Sequence, residues 1–168
     1  MTLLAERDGP ADRARSRPRA VRPVVLGTLS VRFDPEAERF AIASVLDVGG
    51  GLIVVNVVRF KPYPCTVRLL GASAATLPEE EDLEPVRASA QRAADLGIRT
   101  QLLRITSSRP VRALLEVVEE RDAGLFVFGP EPDRVRRRTF RRALEEVRER
   151  APCLVWTSAR AEAMLAAR

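Results

Sequence analysis

A chain of 168 residues, 46% of them hydrophobic, can bury one domain-sized core without help from metals or disulfides. It contains no histidine, which excludes Ser-His-Asp triads, histidine general bases and the commonest metal ligand. The net charge of +5 is concentrated at the start: residues 1–22 carry six arginines against Glu6, Asp8 and Asp12, leaving the body at about +2.

Residues 1–22 are polar and unpatterned, with Pro10 and Pro18 interrupting any helix, and read as a disordered basic tail. From Val24 strands and helices alternate. Val24–Ser30 is a short apolar run suited to a buried strand. Asp34 followed by Pro35 signals an N-cap and a first helical position, and Phe40, Ala41, Ala43 or Ser44, and Val45 space out as the helix face. Gly49–Gly51 stop that helix before a second strand, Leu52–Val58.

The stretch 59–85, broken by Pro62, Pro64 and Pro78, gives no regular pattern; Lys61, Tyr63 and Cys65 fall in it. A helix resumes around Pro85–Leu96 and stops at Gly97, and Ile98–Ile105 alternates as an edge strand does. The next helix has Ser108 as its expected cap, Pro110 in its first turn, and Leu114, Leu115, Val117 and Val118 as its buried stripe. Leu125–Phe128 is a fourth strand, Arg138–Arg150 a fourth helix, and Cys153–Thr157 a fifth strand; residues 158–168 form a short helical tail. Five strands separated by helical segments imply an α/β fold: an open parallel sheet with helices on both faces. The domain is expected over 23–157.

No apolar run is long enough to cross a bilayer, and the first residues lack a signal-peptide core. With Cys65 and Cys153 as the only cysteines and without metal-type spacing, a reduced, cytoplasmic setting is expected. No metal, no cofactor and no catalytic residue is expected.

The order of elements, with "ITSSRPVRALLEVVEERDAGLFVFG" and "RRALEEVRERAPCLVW", resembles the universal stress protein family. Pro110 to Gly129 and Ala151-Pro152-Cys153 fall at that family's motif positions. The resemblance spans roughly residues 23–157 and implies strand order 3-2-1-4-5. Ligands would then bind at the switch point, beyond the carboxyl ends of strands one and four. It also implies a homodimer through the fifth strand, Cys153–Thr157, whose apolar edge needs a partner.

Members that bind ATP resemble "VDGS" after strand one and G-x-x-G, nine residues, then G-[S/T] after strand four. Here Thr28 replaces the aspartate and Leu29 the glycine; Gly129 is kept, Pro132 stands at the second glycine, and, counting back from Ala151-Pro152-Cys153 with the loop one residue short, Arg141 and Arg142 fall at G-[S/T]. A proline there has no N–H to offer a phosphate. The implied reading is a non-enzymatic stress-response protein that does not bind ATP in the family's usual manner. The alternative is a nucleotide or other small phosphorylated anion held by Thr28, Ser30, Val57, Gly129, Arg134, Arg138, Thr139, Arg141 and Arg142. A second alternative is nucleic-acid contact through the tail and the Arg134–Arg142 patch, with no membrane partner. The arginines read either as an anion site or, preferably, as a solvated helix face paired with Glu145, Glu146 and Glu149. Thr28 and Ser30 either contact a ribose or phosphate or cap the turn after the strand.

Overall fold

The computed structural model describes residues 21–59 and 83–166. The expectations placed on residues 1–20, on Lys61, Tyr63 and Cys65, and on most of the stretch 59–85 lie outside these. Five parallel strands, β1 (Val24–Thr28), β2 (Gly51–Arg59), β3 (Arg99–Ser107), β4 (Leu125–Phe128) and β5 (Leu154–Trp156), form one sheet in the order β3-β2-β1-β4-β5. That is the expected class and order. Each connection crosses over through helix: α1 (Pro35–Val48), α2 (Leu83–Asp95), α3 (Pro110–Glu120) and α4 (Arg137–Arg150), with α5 (Ala159–Ala166) after β5.

Period-two side-chain alternation divides each central strand between two cores. Val25, Ile53, Val55, Val57, Phe126 and Phe128 face α3, α4 and α5, where Leu114, Phe140, Leu144 and Ala161 meet them. Val24, Leu26, Leu52, Val54 and Val127 face α1 and α2, meeting Ala37, Ala41, Val45 and Val86. The central strands can therefore be almost wholly apolar, whereas edge strand β3 is half-exposed along its length.

Local chemistry explains most boundaries. Asp34 caps α1 by accepting the Glu36 N–H at 2.9 Å, Pro35 opens the first turn, and Gly49, at φ 76, closes the helix. The face of α1 is the expected one at Ala41 and Val45, which are buried, and at Phe40, which packs partly buried against the same core; Ala43 is exposed, and Ala37 and Glu38 extend the buried face. Small residues let this helix lie close to the sheet, and Glu38 is tolerated because Arg92 and Ser89 of α2 bind its carboxylate. Ser108 does not cap α3. Arg109 is the N-cap without a side-chain bond, and the Ser107 hydroxyl accepts the Arg109 N–H instead.

The stretch from Ser158, set apart above as a tail, folds back onto the domain. Ala161 is buried in the α3/α4 core, and Met164 and Leu165 pack against it. Ser158 caps α5 through the Ala161 N–H and donates to the Asp34 carboxylate at 2.8 Å, so one aspartate ties the starts of α1 and α5 together.

Candidate functional site

The switch point lies where β1 has β2 on one side and β4 on the other. Beyond β1 the chain turns sharply, and the residues there use their polar groups locally. The buried Thr28 hydroxyl donates to the Val31 carbonyl at 2.7 Å. Ser30 adopts left-handed backbone (φ 56), its N–H donates to Asn56 Oδ1 at 3.2 Å, and its hydroxyl donates to the Val57 carbonyl at 3.0 Å while accepting the Arg59 N–H. Thr28, Ser30 and Val57 are thus brought together, in the turn-capping arrangement.

Asn56 was missed in the sequence, where it is the one polar residue inside the run "LIVVNVV". It lies opposite Thr28 in the β1–β2 register. The Ser30 N–H fixes its amide orientation, since only the oxygen can accept, and Nδ2 is left buried without a partner.

The loop after β1 then crosses the crevice and joins the chain after β4. Asp34 N–H donates to the Gly129 carbonyl at 2.9 Å and Glu131 N–H to the Arg32 carbonyl at 3.1 Å, an antiparallel bridge centred on Phe33 and Pro130. Gly129 N–H donates to Gly27 at 3.0 Å. Of the four residues 129–132, two are prolines without N–H and the other two use theirs inside the fold. The glycine itself is required by close packing: a Cβ there would lie 2.8 Å from Ala37 Cβ.

The side chains reinforce this closure. Arg32 grips Glu131 through two guanidinium nitrogens, one of them 3.0 Å from Oε1, and Arg134 adds a contact at 3.5 Å. Glu131 is only 8% exposed. The Arg32 hydrogen bond holds its carboxyl below the usual range against the opposing effect of burial, with the charges of Arg32, Arg134 and Arg160 assisting. Arg160 of α5 pairs with Asp133 in the 3-10 turn Pro132–Arg134.

The remaining arginines separate. α4 buries Phe140, Ala143, Leu144 and Val147, so Arg138 and Arg142 project from the opposite face at helical spacing. Arg141 pairs with Glu145 at 3.9 Å along the helix, and Thr139 is exposed. Arg134 alone among these is drawn to the crevice, and its partner is a carboxylate of the chain. Arg32, Glu131 and Arg160 are the crevice residues that sequence reasoning did not single out. Their only sequence signal was proximity to the predicted loop ends.

A groove of about 570 Å³ opens at the other end of the sheet, lined by Val21, Val45, Leu46, Gly49–Gly51, Gly97, Ile98 and Arg99. It touches none of the crevice residues. Among the described residues no helix is long and apolar enough to cross a membrane.

Comparison with known proteins agrees with this architecture. A universal stress protein from Burkholderia pseudomallei is 17% identical, with 84% of this chain covering 98% of that one at a TM-score of 0.58. A universal stress protein solved in complex with cAMP is 18% identical, with 83% and 97% covered and a TM-score of 0.58. One from Archaeoglobus fulgidus in complex with dAMP is 18% identical, with 81% and 96% covered and a TM-score of 0.51. No curated protein matches the sequence. The model of the universal stress protein family matches residues 21–158, the whole sheet together with its crossover helices, and the chain belongs to that family.

Proposed function

We propose that this chain is a non-enzymatic, stress-type regulatory protein that acts by binding, and that it does not hold ATP in the family's usual manner. The observation that carries this reading is the state of the loop after β4. At the positions of the family's first two loop glycines and the residues between them, 129–132, the two N–H groups present, those of Gly129 and Glu131, already donate to Gly27 and Arg32. A phosphate cradle needs such donors free and small residues around them. The absence of histidine from the sequence supports binding over catalysis, because no nucleophile–base pair is evident. The test is a thermal-shift titration of the full chain with ATP, AMP and cAMP at constant ionic strength. No shift is expected from ATP. A ligand at one hundred times its Kd adds about 2.7 kcal/mol of stability, and a stabilisation of that size by ATP would refute the reading.

A second reading, a small phosphorylated ligand at the β1/β4 crevice, is favoured by the arginines gathered there and by the two relatives solved with cAMP and dAMP. We also infer a homodimer through β5. This strand has β4 as its one neighbour in the sheet, and Leu154 on it is 75% exposed. Unpaired apolar edges recruit partner strands. Sedimentation velocity over a hundredfold concentration range should show a dimer, and a monomer throughout would overturn this inference.

A further inference from the structure

The crevice arginines converge on a group of the protein's own. Arg32 comes from the loop after β1, Arg134 from the 3-10 turn after β4, and Arg160 from α5. The first two contact Glu131, and the third binds Asp133 in the same turn. All three guanidinium groups are about half exposed, while the carboxylate between them is buried. The cluster is therefore open to solvent on its cationic side. Planar guanidinium groups take a phosphate in the same bidentate geometry as a carboxylate, and take it more strongly when its charge is higher.

We propose that Arg32, Arg134 and Arg160 form an oxyanion site for the phosphate group of a small metabolite, occupied from within by the Glu131 carboxylate, which the ligand displaces. The proposal deepens the phosphorylated-ligand reading above and rests on side-chain guanidinium groups, not on the backbone N–H donors of the family's glycine loop. Two acidic groups, Glu131 and Asp133, stand against three arginines, so the cluster keeps a net positive charge even when closed. Turning Glu131 outward raises that charge by one unit at the point where an anion would enter. Displacement needs only the side chain to rotate. The backbone of Glu131 stays held by its N–H bond to Arg32, and Pro130 and Pro132 restrain its neighbours. An internal competitor makes the wild-type site weak, because the ligand must replace an ion pair that costs no association entropy.

The experiment measures inorganic phosphate binding to the full chain by calorimetry and thermal shift, with chloride holding ionic strength constant. Wild type is compared with Glu131→Gln and with the double variant Arg32→Gln/Glu131→Gln. Removing the internal carboxylate should tighten phosphate binding at least about tenfold, within the range set by charge-assisted pairs, and the double variant should lose it. An affinity unchanged in Glu131→Gln, or one that survives in the double variant, overturns the proposal. Should Glu131→Gln fail to fold, wild type is compared with Arg160→Gln, and equal stabilisation of the two by phosphate overturns it likewise. ATP binding that is tight in wild type and indifferent to Arg32→Gln would instead refute the non-ATP reading, so the two failures are distinguishable.

Discussion

Replacing Gly129 by alanine places a methyl group 2.8 Å from Ala37 Cβ, 3.2 Å from Leu26 Cδ1 and 3.5 Å from Phe33 Cδ1. Carbon atoms settle at roughly 3.5–4.0 Å, so something must move. The near neighbour is Ala37, in the first turn of α1, and that turn is tied down. Asp34 N–H is bound to the Gly129 carbonyl and the Asp34 carboxylate to Ser158. Shifting α1 therefore strains or breaks bonds at the crevice. Overpacking costs about 1–3 kcal/mol, and the tether argues for the upper part of that range. Alanine restricts the unfolded chain and returns about 0.4–1 kcal/mol. The net expectation is a loss of about 1–2 kcal/mol, read as a lower urea midpoint at unchanged m-value. Ala37→Gly, which removes the opposing methyl, should rescue part of that loss, giving a coupling of at least about 0.5 kcal/mol in a double-mutant cycle. A Gly129→Ala protein as stable as wild type, or strictly additive single effects, would refute the packing argument.

Further predictions follow from the same contacts. Ser158→Ala removes the α5 cap and leaves an Asp34 oxygen buried without its donor, so it should cost about 1–2 kcal/mol and raise hydrogen exchange in α5 first. Because the Glu131 carboxyl is held below its usual range by Arg32, the pair stabilises the fold above the unfolded carboxylate value near ~4.3. That stabilisation is lost as pH falls through the lower folded value. Urea midpoints of wild type should therefore drop more steeply than those of Glu131→Gln as pH falls from about 4.3 towards that lower value, and parallel curves would refute the coupling. Arg138 stands in the first turn of α4, which has no acidic residue, and faces away from the core. Arg138→Glu should stabilise by about 0.3–1 kcal/mol through the helix dipole and a new pair with Arg142; a loss of stability would mean that the arginine has a partner there. Leu154→Arg should leave the fold intact and shift any dimer to monomer in sedimentation.

Composition and periodicity carried the succession of elements and the α/β class, whereas the strand order followed from the family resemblance. Apolar runs of strand length, the Asp34-Pro35 start and the Gly49 stop are local signals, set by backbone sterics and burial within a few residues, and the elements follow them closely. The β4 glycine was legible in the same way, as a special backbone position, but not the reason for it. That reason is Ala37, distant in sequence and brought under Gly129 only when α1 packs on the sheet. Asn56 looked like an interruption of an apolar strand until the turn after β1 placed the Ser30 N–H on its amide oxygen. The arginine run read as one feature because it is contiguous in sequence. Helical geometry scatters it, sending Arg138 and Arg142 outward, while Arg32 and Arg160, remote from the run, are delivered to the crevice by tertiary contacts. Short-range chemistry therefore determined which elements form and in what order. Which charges meet, and whether the crevice is open or closed by the chain's own carboxylate, was decided only by long-range packing, because an ion pair depends on distance in space and the sequence records only distance along the chain.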